Sequence, residues 1–287
     1  MRLCIFTRTF YVAGMDTPPR LTDRTALTRN RARADAMFLQ AASADDVHER
    51  LIEVNRTFTA PAVVTGFPAA WAEWMPGATI IEDRDTLALT EGAHDLIIHA
   101  LSLHWADDPI GQLVQCRRAL VPDGLLIATT FAGQTLHELR SVLAEAEVAH
   151  TGGLSPRILP MGEVRDLGGL LQRAGFALPV ADIMPLTVTY DTPIHLMRDL
   201  RAMGEGNAME QRQRTPTRRK IFAQAMARYV DVFAMEDGRV PATFEIATLT
   251  GWAPADSQQK PLRPGSAKTR LADALGTQET PLNRSKD

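Results

Sequence analysis

His104 and Trp105 are the pair best placed for chemistry. They follow the apolar run 96–101, and ligands of open α/β sheets bind in the crevice outside the carboxyl ends of the strands. An imidazole at such an edge offers a hydrogen bond, and an indole offers an apolar wall with one polar corner. The plainer alternative is a core tryptophan beside a satisfied histidine. Glu82, Asp83 and Asp85 set three carboxylates within four residues, a cluster suited to acid–base work, against which stands an ordinary solvated turn. No metal centre is expected. The seven His residues fall into no ligand-like spacing, and Cys4 and Cys116 are the only thiols, too few for a thiolate zinc site or a disulfide framework. Arg212, Arg214, Arg218, Arg219 and Lys220 form a basic stretch that can dock an acidic partner or simply be solvated. Segments 152–157 and 257–266 carry Arg157, Lys260 and Arg263, either as anion or peptide contacts or as plain surface.

Positioning these groups requires strands that end beside them. Three short apolar runs, 62–65, 79–81 and 96–101, close on Gly, Asp or polar residues and read as buried parallel strands. A helix of about two turns starting near Pro68 fits between the first two and completes a βαβ unit. Ahead of them, Ser43 with Asp45 and Asp46, then Val47, Leu51, Ile52 and Val54, has the cap and spacing of an amphipathic helix. Asp108 and Pro109 open a helix that turns Ile110, Leu113, Val114 and Leu120 to one side and ends at Val121-Pro122-Asp123-Gly124, before a strand at 125–131. Thr135 and Glu138 have capping-box spacing for a helix to about Val148. Further on come a helix at 163–174, an extended stretch 176–190 interrupted at Pro185, a helix at 192–203, another from Thr215-Pro216 to Phe233, and a last strand at 243–252. Strands alternating with helices predict a mostly parallel sheet covered on both faces.

Composition bounds the function. The chain has 287 residues, 45% of them apolar and 23% charged, enough for one large domain with a core and unlike collagenous, coiled-coil or disordered chains. Every apolar run is broken by Asp, Arg, Pro or Gly before reaching the roughly 18 residues that span a bilayer, so no integral membrane segment is expected. A net charge of −3 gives no global attraction to nucleic acid. Residues 1–14 lack the apolar centre and cleavage site of a secretory signal, with Met15 as an alternative start to Met1, and with so few thiols the expected location is cytoplasmic. The expected layout is a polar arm at 1–34, a main domain at 35–255 containing a helical insertion at 192–240, and a polar tail at 256–287.

The stretch 95–131 carries the most information: a strand DLIIHALSLHW, a helix, then RRALVPDG leading into LLIATTF. It resembles the class I S-adenosylmethionine-dependent methyltransferases of the type 11 kind. In that superfamily the fourth strand is introduced by an Asp, ends near the cofactor, and is followed by a helix and a Pro-Gly turn into the fifth strand. The matching positions are Asp95, Leu103, His104, Trp105, Pro122 and Gly124. Over 16–275 the chain is also similar to the mitochondrial complex I assembly factor 5 family and its alphaproteobacterial relatives, through RLTDRTALTRNRARA, GGLSPR, LMRDLRAMGEGNA, PATFEIATLTGW and SQQKPLRPGSA.

The resemblance implies a methyltransferase-like, Rossmann-type α/β sheet with a final antiparallel strand near its edge. It implies S-adenosylmethionine as cofactor, bound by Gly66, Asp83, Leu103, His104 and Trp105, and it assigns no catalytic residue. Two departures accompany it. The cofactor loop 63–69 keeps one glycine, Gly66, and includes Pro68, which has no amide hydrogen. Between Ile81 and Asp95 lie thirteen residues, too few for a helix, a strand and two turns, so the sheet should be shorter by one βα unit. Asp83 or Asp85 would then stand for the carboxylate at the cofactor ribose or adenine, and Asp83 is the one carried forward. The function expected is a methyltransferase-family enzyme acting on a protein substrate in complex I, by methylation or by the arginine hydroxylation of the assembly factors. The alternative is a catalytically silent assembly or binding protein on the same fold.

Overall fold

The computed structural model describes residues 20–258, 269 and 271–278. Six strands form one sheet in the order β2-β1-β3-β4-β6-β5, where β1 is Pro61–Thr65, β2 Thr79–Glu82, β3 His94–Ala100, β4 Leu120–Phe131, β5 Ala177–Tyr190 and β6 Val240–Trp252. β1 to β4 pair in parallel, and β6 runs antiparallel between β4 and β5. Residues 83–93, linking β2 to β3, contain no helix or strand, which is the shortening expected from length.

Side chains alternate along each strand, so the two faces sort themselves. Val63, Leu96, Ile98, Leu125 and Ile127 turn to one face, which holds Ala44 and Val47 of α2 (Phe38–Val54) and Trp71 of α3 (Pro68–Trp74). Ala62, Val64, Ile97 and Leu126 turn to the other, which holds Leu113 and Cys116 of α4 (Pro109–Ala119). Leu171 of α6 (Val164–Arg173) joins that second face. Each fully buried Leu or Ile contributes roughly 1.5–3 kcal/mol. A third cluster gathers α5 (His137–Thr151), α7 (Pro193–Ala202) and α8 (Arg219–Phe233) around Tyr229, Phe244 and Ile246.

Several local expectations change once tertiary partners are present. α2 starts at Phe38, ahead of Ser43, because Ser43 is buried and bonds the Thr129 hydroxyl at 2.8 Å. Thr135 and Glu138 do not cap each other. Thr135 Oγ1 accepts from the Glu245 amide at 3.0 Å, and Glu138 accepts from the Thr243 hydroxyl at 2.6 Å, so both tie α5 to β6. α8 begins at Arg219, beyond the Thr215-Pro216 start. β5 passes straight through Pro185 in register with Glu245, which an edge strand tolerates because the missing amide hydrogen can face outward.

The largest difference concerns residues 20–34. They are no loose arm: Asp23 accepts from the Ala26 amide at 3.0 Å to cap α1 (Arg24–Arg31), and Leu27 is buried. The amides of Leu21 and Thr22 both donate to Asp107 Oδ1 at 2.9 Å. So polar a helix shows little apolar stripe to sequence reading, since only Ala26 and Leu27 of its residues are buried, and ion pairs from Arg24 and Arg31 add to its anchoring. The first compact unit ends at Pro254, and the second contains the short helix α9 (Leu271–Leu275). The start-codon question, Cys4, Lys260 and Arg263 lie outside the described residues. Among the described residues no helix is long and apolar enough to cross a membrane.

The GGLSPR segment is held by a single buried carboxylate. Glu147 accepts from Arg157 at 2.7 and 3.0 Å and from the Ser155 amide and hydroxyl. The Arg157 bonds, with Ser155, hold its carboxyl down at about 2. Glu147→Gln should therefore cost on the order of 2 kcal/mol of stability at neutral pH. Because the folded pKa lies below the ordinary 4.5, this contribution is complete above that value and shrinks as pH falls toward 2. Urea unfolding at neutral pH and near pH 3 should show the gap between wild type and variant narrowing at the lower pH.

Candidate functional site

After β1 the chain crosses to β2 on one side, and after β2 it returns to β3 on the other, so the carboxyl ends of β1 and β3 flank a topological switch point. Gly66 follows β1 directly, Asp83 follows β2, and Leu103–Trp105 form a single 3₁₀ turn after β3. Two hollows open along this edge.

The first, about 900 Å³, is lined by Arg24, Arg31, Gly66, Phe67, Asp83 and Asp85 among others. The Asp83 side chain is fully buried, with Arg31 Nη1 at 2.9 Å and Arg24 Nη1 at 3.4 Å from Oδ2, while Arg24 Nη2 reaches Asp85 at 2.9 Å. Burial pushes the Asp83 carboxyl up, but the Arg31 and Arg24 guanidinium groups outweigh it and hold it below the usual range. A Cβ at Gly66 would stand 2.3 Å from Arg31 Cζ, so only glycine lets the guanidinium lie across this backbone. Asp83 Oδ1, Arg31 Nε and Arg31 Nη2 are buried without hydrogen-bond partners.

The second hollow, about 280 Å³, is lined by His104, Trp105, Glu205, Leu39, Phe131 and Phe244 among others. Trp105 Nε1 donates to Glu205 Oε2 at 2.8 Å, and His104 Nε2 lies 3.3 Å from the same oxygen. Burial pushes the Glu205 carboxyl up, yet His104, with help from Arg31 and Trp105, brings it below its ordinary value. α1 lines the first hollow with Arg24, Thr28 and Arg31, and its Leu27 packs in one cluster with Trp105. Gly204 sits at φ +79°, and a Cβ there would meet Arg31 Cα at 3.2 Å and the Phe67 ring at 3.4 Å. Asn30 Nδ2 donates to the Gly206 carbonyl at 3.0 Å.

Of the residues expected from sequence, Gly66 and Asp83 share the first hollow, and His104 and Trp105 share the second. Leu103 lines neither: it is 3% exposed and packs in the core with Leu113, because the turn directs it beneath the sheet edge. The carboxylate trio is split, with Asp83 buried and Asp85 exposed. Arg24, Arg31 and Glu205 were missed. The arginines lie in a stretch that reads as a polar arm, and Glu205 lies between two glycines in a motif given no role. Arg212 and Arg214 both reach Asp23 at 2.8 Å, so two of the five residues of the basic stretch fasten the start of α1. Cys116 is buried, which pushes its thiol up to about 12 and leaves it unreactive. Among the described residues no three His, Cys, Asp or Glu side chains are grouped to hold a metal ion.

Asp83→Asn should leave Arg31, 9% exposed, facing a neutral amide, at a cost of about 3–5 kcal/mol for a broken buried pair. Adding Arg31→Met should recover part of that loss. A double-mutant cycle from urea unfolding checks this, and additive effects would mean the two groups do not interact. With its folded pKa depressed, Asp83 supports stability above the ordinary aspartate value of 3.8 and loses that support as pH falls below it.

No protein-family model matches the chain. It is 41% identical over 199 residues to the mitochondrial arginine-hydroxylase NDUFAF5 of Danio rerio, covering 69% of this chain and 62% of that protein. It is 32% identical over 212 residues to a malonyl-[acyl-carrier protein] O-methyltransferase of Halorhodospira halophila, covering 74% of this chain and 70% of that one. A solved phosphoethanolamine N-methyltransferase of Haemonchus contortus, in complex with S-adenosylhomocysteine, matches 82% of this chain and 58% of its own at 10% identity and a TM-score of 0.41. The chain spans about three fifths of the NDUFAF5 relative's length. Relatives named as mitochondrial overturn the expected cytoplasmic location. The kinship with an O-methyltransferase over most of its length, on a sheet whose one antiparallel strand lies inside its edge, places this chain in the class I S-adenosylmethionine-dependent methyltransferase superfamily.

Proposed function

We propose that the chain is an S-adenosylmethionine-dependent methyltransferase-family enzyme that modifies a protein substrate during respiratory complex I assembly, in a mitochondrial setting. The observation carrying this reading is the pairing of two unequal hollows along one sheet edge, a larger one holding Gly66 and Asp83 and a smaller apolar one holding His104, Trp105 and Glu205. At about 900 Å³ the first has cofactor size. The buried Asp83 Oδ1, still without a partner, is an acceptor for ribose hydroxyls. When bound, S-adenosylmethionine supplies a methyl group already activated by its sulfonium. The residues of this chain then have to bind and orient the acceptor and exclude water. The helical insertion contributes Phe222, with Thr217 just ahead of α8, to the second hollow and so forms its substrate side. The domain body proposed remains 35–255, with α1 added as its wall.

A second reading draws on Arg31. Its guanidinium fills the space over Gly66 and is paired with Asp83, and loop 63–69 has one glycine and a proline. A fold that closes its own cofactor site in this way suits a silent assembly protein.

Thermal unfolding separates the two. Under the first reading S-adenosylmethionine stabilises the folded state by RT ln(1 + [L]/Kd), about 2.7 kcal/mol at a hundred times Kd. Incubation with complex I subunits should also give a product heavier by a methyl group or by one oxygen in mass spectra. No shift at millimolar ligand in wild type, with a shift appearing in Arg31→Ala, would establish the second reading.

A further inference from the structure

Four cations stand unpaired along the second hollow. Arg201, on α7, lines it and is exposed. Thr217 lines it as well and is tied to Arg157, whose Nη1 donates to Oγ1 at 2.8 Å. The next three residues in the chain are Arg218, Arg219 and Lys220, all exposed. Arg218 also borders an adjoining hollow of about 320 Å³, beside Leu154 and Ser155 of the GGLSPR segment. Among the described residues no acidic side chain pairs with any of the four.

The acids nearby are already engaged. Glu147 is bound by Arg157 and Ser155, Glu210 by Arg214, and Glu205 by Trp105 and His104. Arg212 and Arg214, from the same basic stretch, are neutralised by Asp23, so the fold separates two structural cations from three left over. Stability does not account for those three. α8 starts with them and has neither an acidic residue in its first turn nor a side-chain cap, and positive charge there opposes the helix dipole. An anion that meets them from outside relieves this opposition. A guanidinium accepts a carboxylate in two parallel hydrogen bonds, and a net charge of −3 gives the rest of the surface no general pull on polyanions.

We propose that Arg201, Arg218, Arg219 and Lys220 form a docking patch for an acidic peptide segment, which lies along the rim of the second hollow. The proposal rests on the enzyme reading above, which makes this hollow the substrate side. It names the charge of the segment that a protein substrate presents next to the group being modified.

Fluorescence anisotropy with the full chain at low salt, without S-adenosylmethionine, provides the test. The probes are fluorescein-labelled hexaglutamate and hexaglutamine. Hexaglutamate should bind saturably and hexaglutamine should not, and added potassium chloride should weaken the binding by screening exposed charges. Arg218→Gln with Arg219→Gln should weaken it on the order of tenfold. Arg165→Gln with Arg173→Gln, an equal loss of charge at exposed positions of α6, should leave it unchanged. Equal binding of the two probes, or equal losses in the two double variants, would each overturn the proposal. Loss of binding together with a lower melting temperature in the first variant would reduce its arginines to structural groups and overturn it too. So would sedimentation of the chain with vesicles of equal parts phosphatidylserine and phosphatidylcholine while hexaglutamate stays unbound, which assigns the patch to a lipid surface. Because no cofactor takes part, failure of S-adenosylmethionine to bind would sink the enzyme reading and leave the patch standing. Absence of hexaglutamate binding beside intact cofactor binding would sink only the patch.

Discussion

The buried pair of Arg31 and Asp83 is the interaction on which the upper edge of this protein depends. Withdrawing a carboxylate from water costs several kcal/mol, and Asp83 stays charged because Arg31 and Arg24 face it. The pair joins a helix near residue 30 to the end of β2, across the end of β1 where Gly66 has no side chain to obstruct it. Gly204 is small for the same reason, since Arg31 Cα lies 3.2 Å from the place of its Cβ. Two glycines far apart in sequence thus answer to one arginine.

Electrostatics around Arg31 is graded. On one side Asp83 receives two guanidinium groups, and on the other Glu205 receives an indole and an imidazole. Both carboxyls are held below their ordinary values against burial. The first is anchored by charge and is part of the wall. The second is anchored by an indole and a histidine. The partners, more than the residue type, set how each acid stays charged against burial.

Periodicity and turn chemistry made the sheet legible. The runs at 62–65, 79–81 and 96–101 became β1, β2 and β3, and the thirteen residues before Asp95 revealed the missing βα unit because reach per residue is fixed. Asp95, read as the start of a strand, accepts from the Thr59 and Ala60 amides and so orders the entry to β1 as well. Legibility failed where partners are distant in sequence. Ser43 and Thr135 look like helix caps locally, yet their hydroxyls are claimed by β4 and β6. Arg31 and Glu205 gave no local signal of burial, since a lone charged residue is ordinarily exposed and only the fold supplies the counter-group.

The place of β6 has a consequence for how the chain is made. It lies between β4 and β5, pairing with β5 from Val240 to Trp252 and with β4 from Ile246 to Trp252, yet of the six strands of this sheet it is synthesised last. Until residues 240–252 leave the ribosome, β4 has an open edge and β5 has no partner in the sheet. The nascent chain therefore carries an unfinished sheet through the synthesis of α7 and α8, and its closure comes as a late, long-range event of the kind that folds slowly and exposes strand edges to association. A translational pause or truncation ahead of β6 removes the seam joining the parallel half of the sheet to β5, and leaves Phe244 and Ile246 out of the cluster that seats α5 and α8.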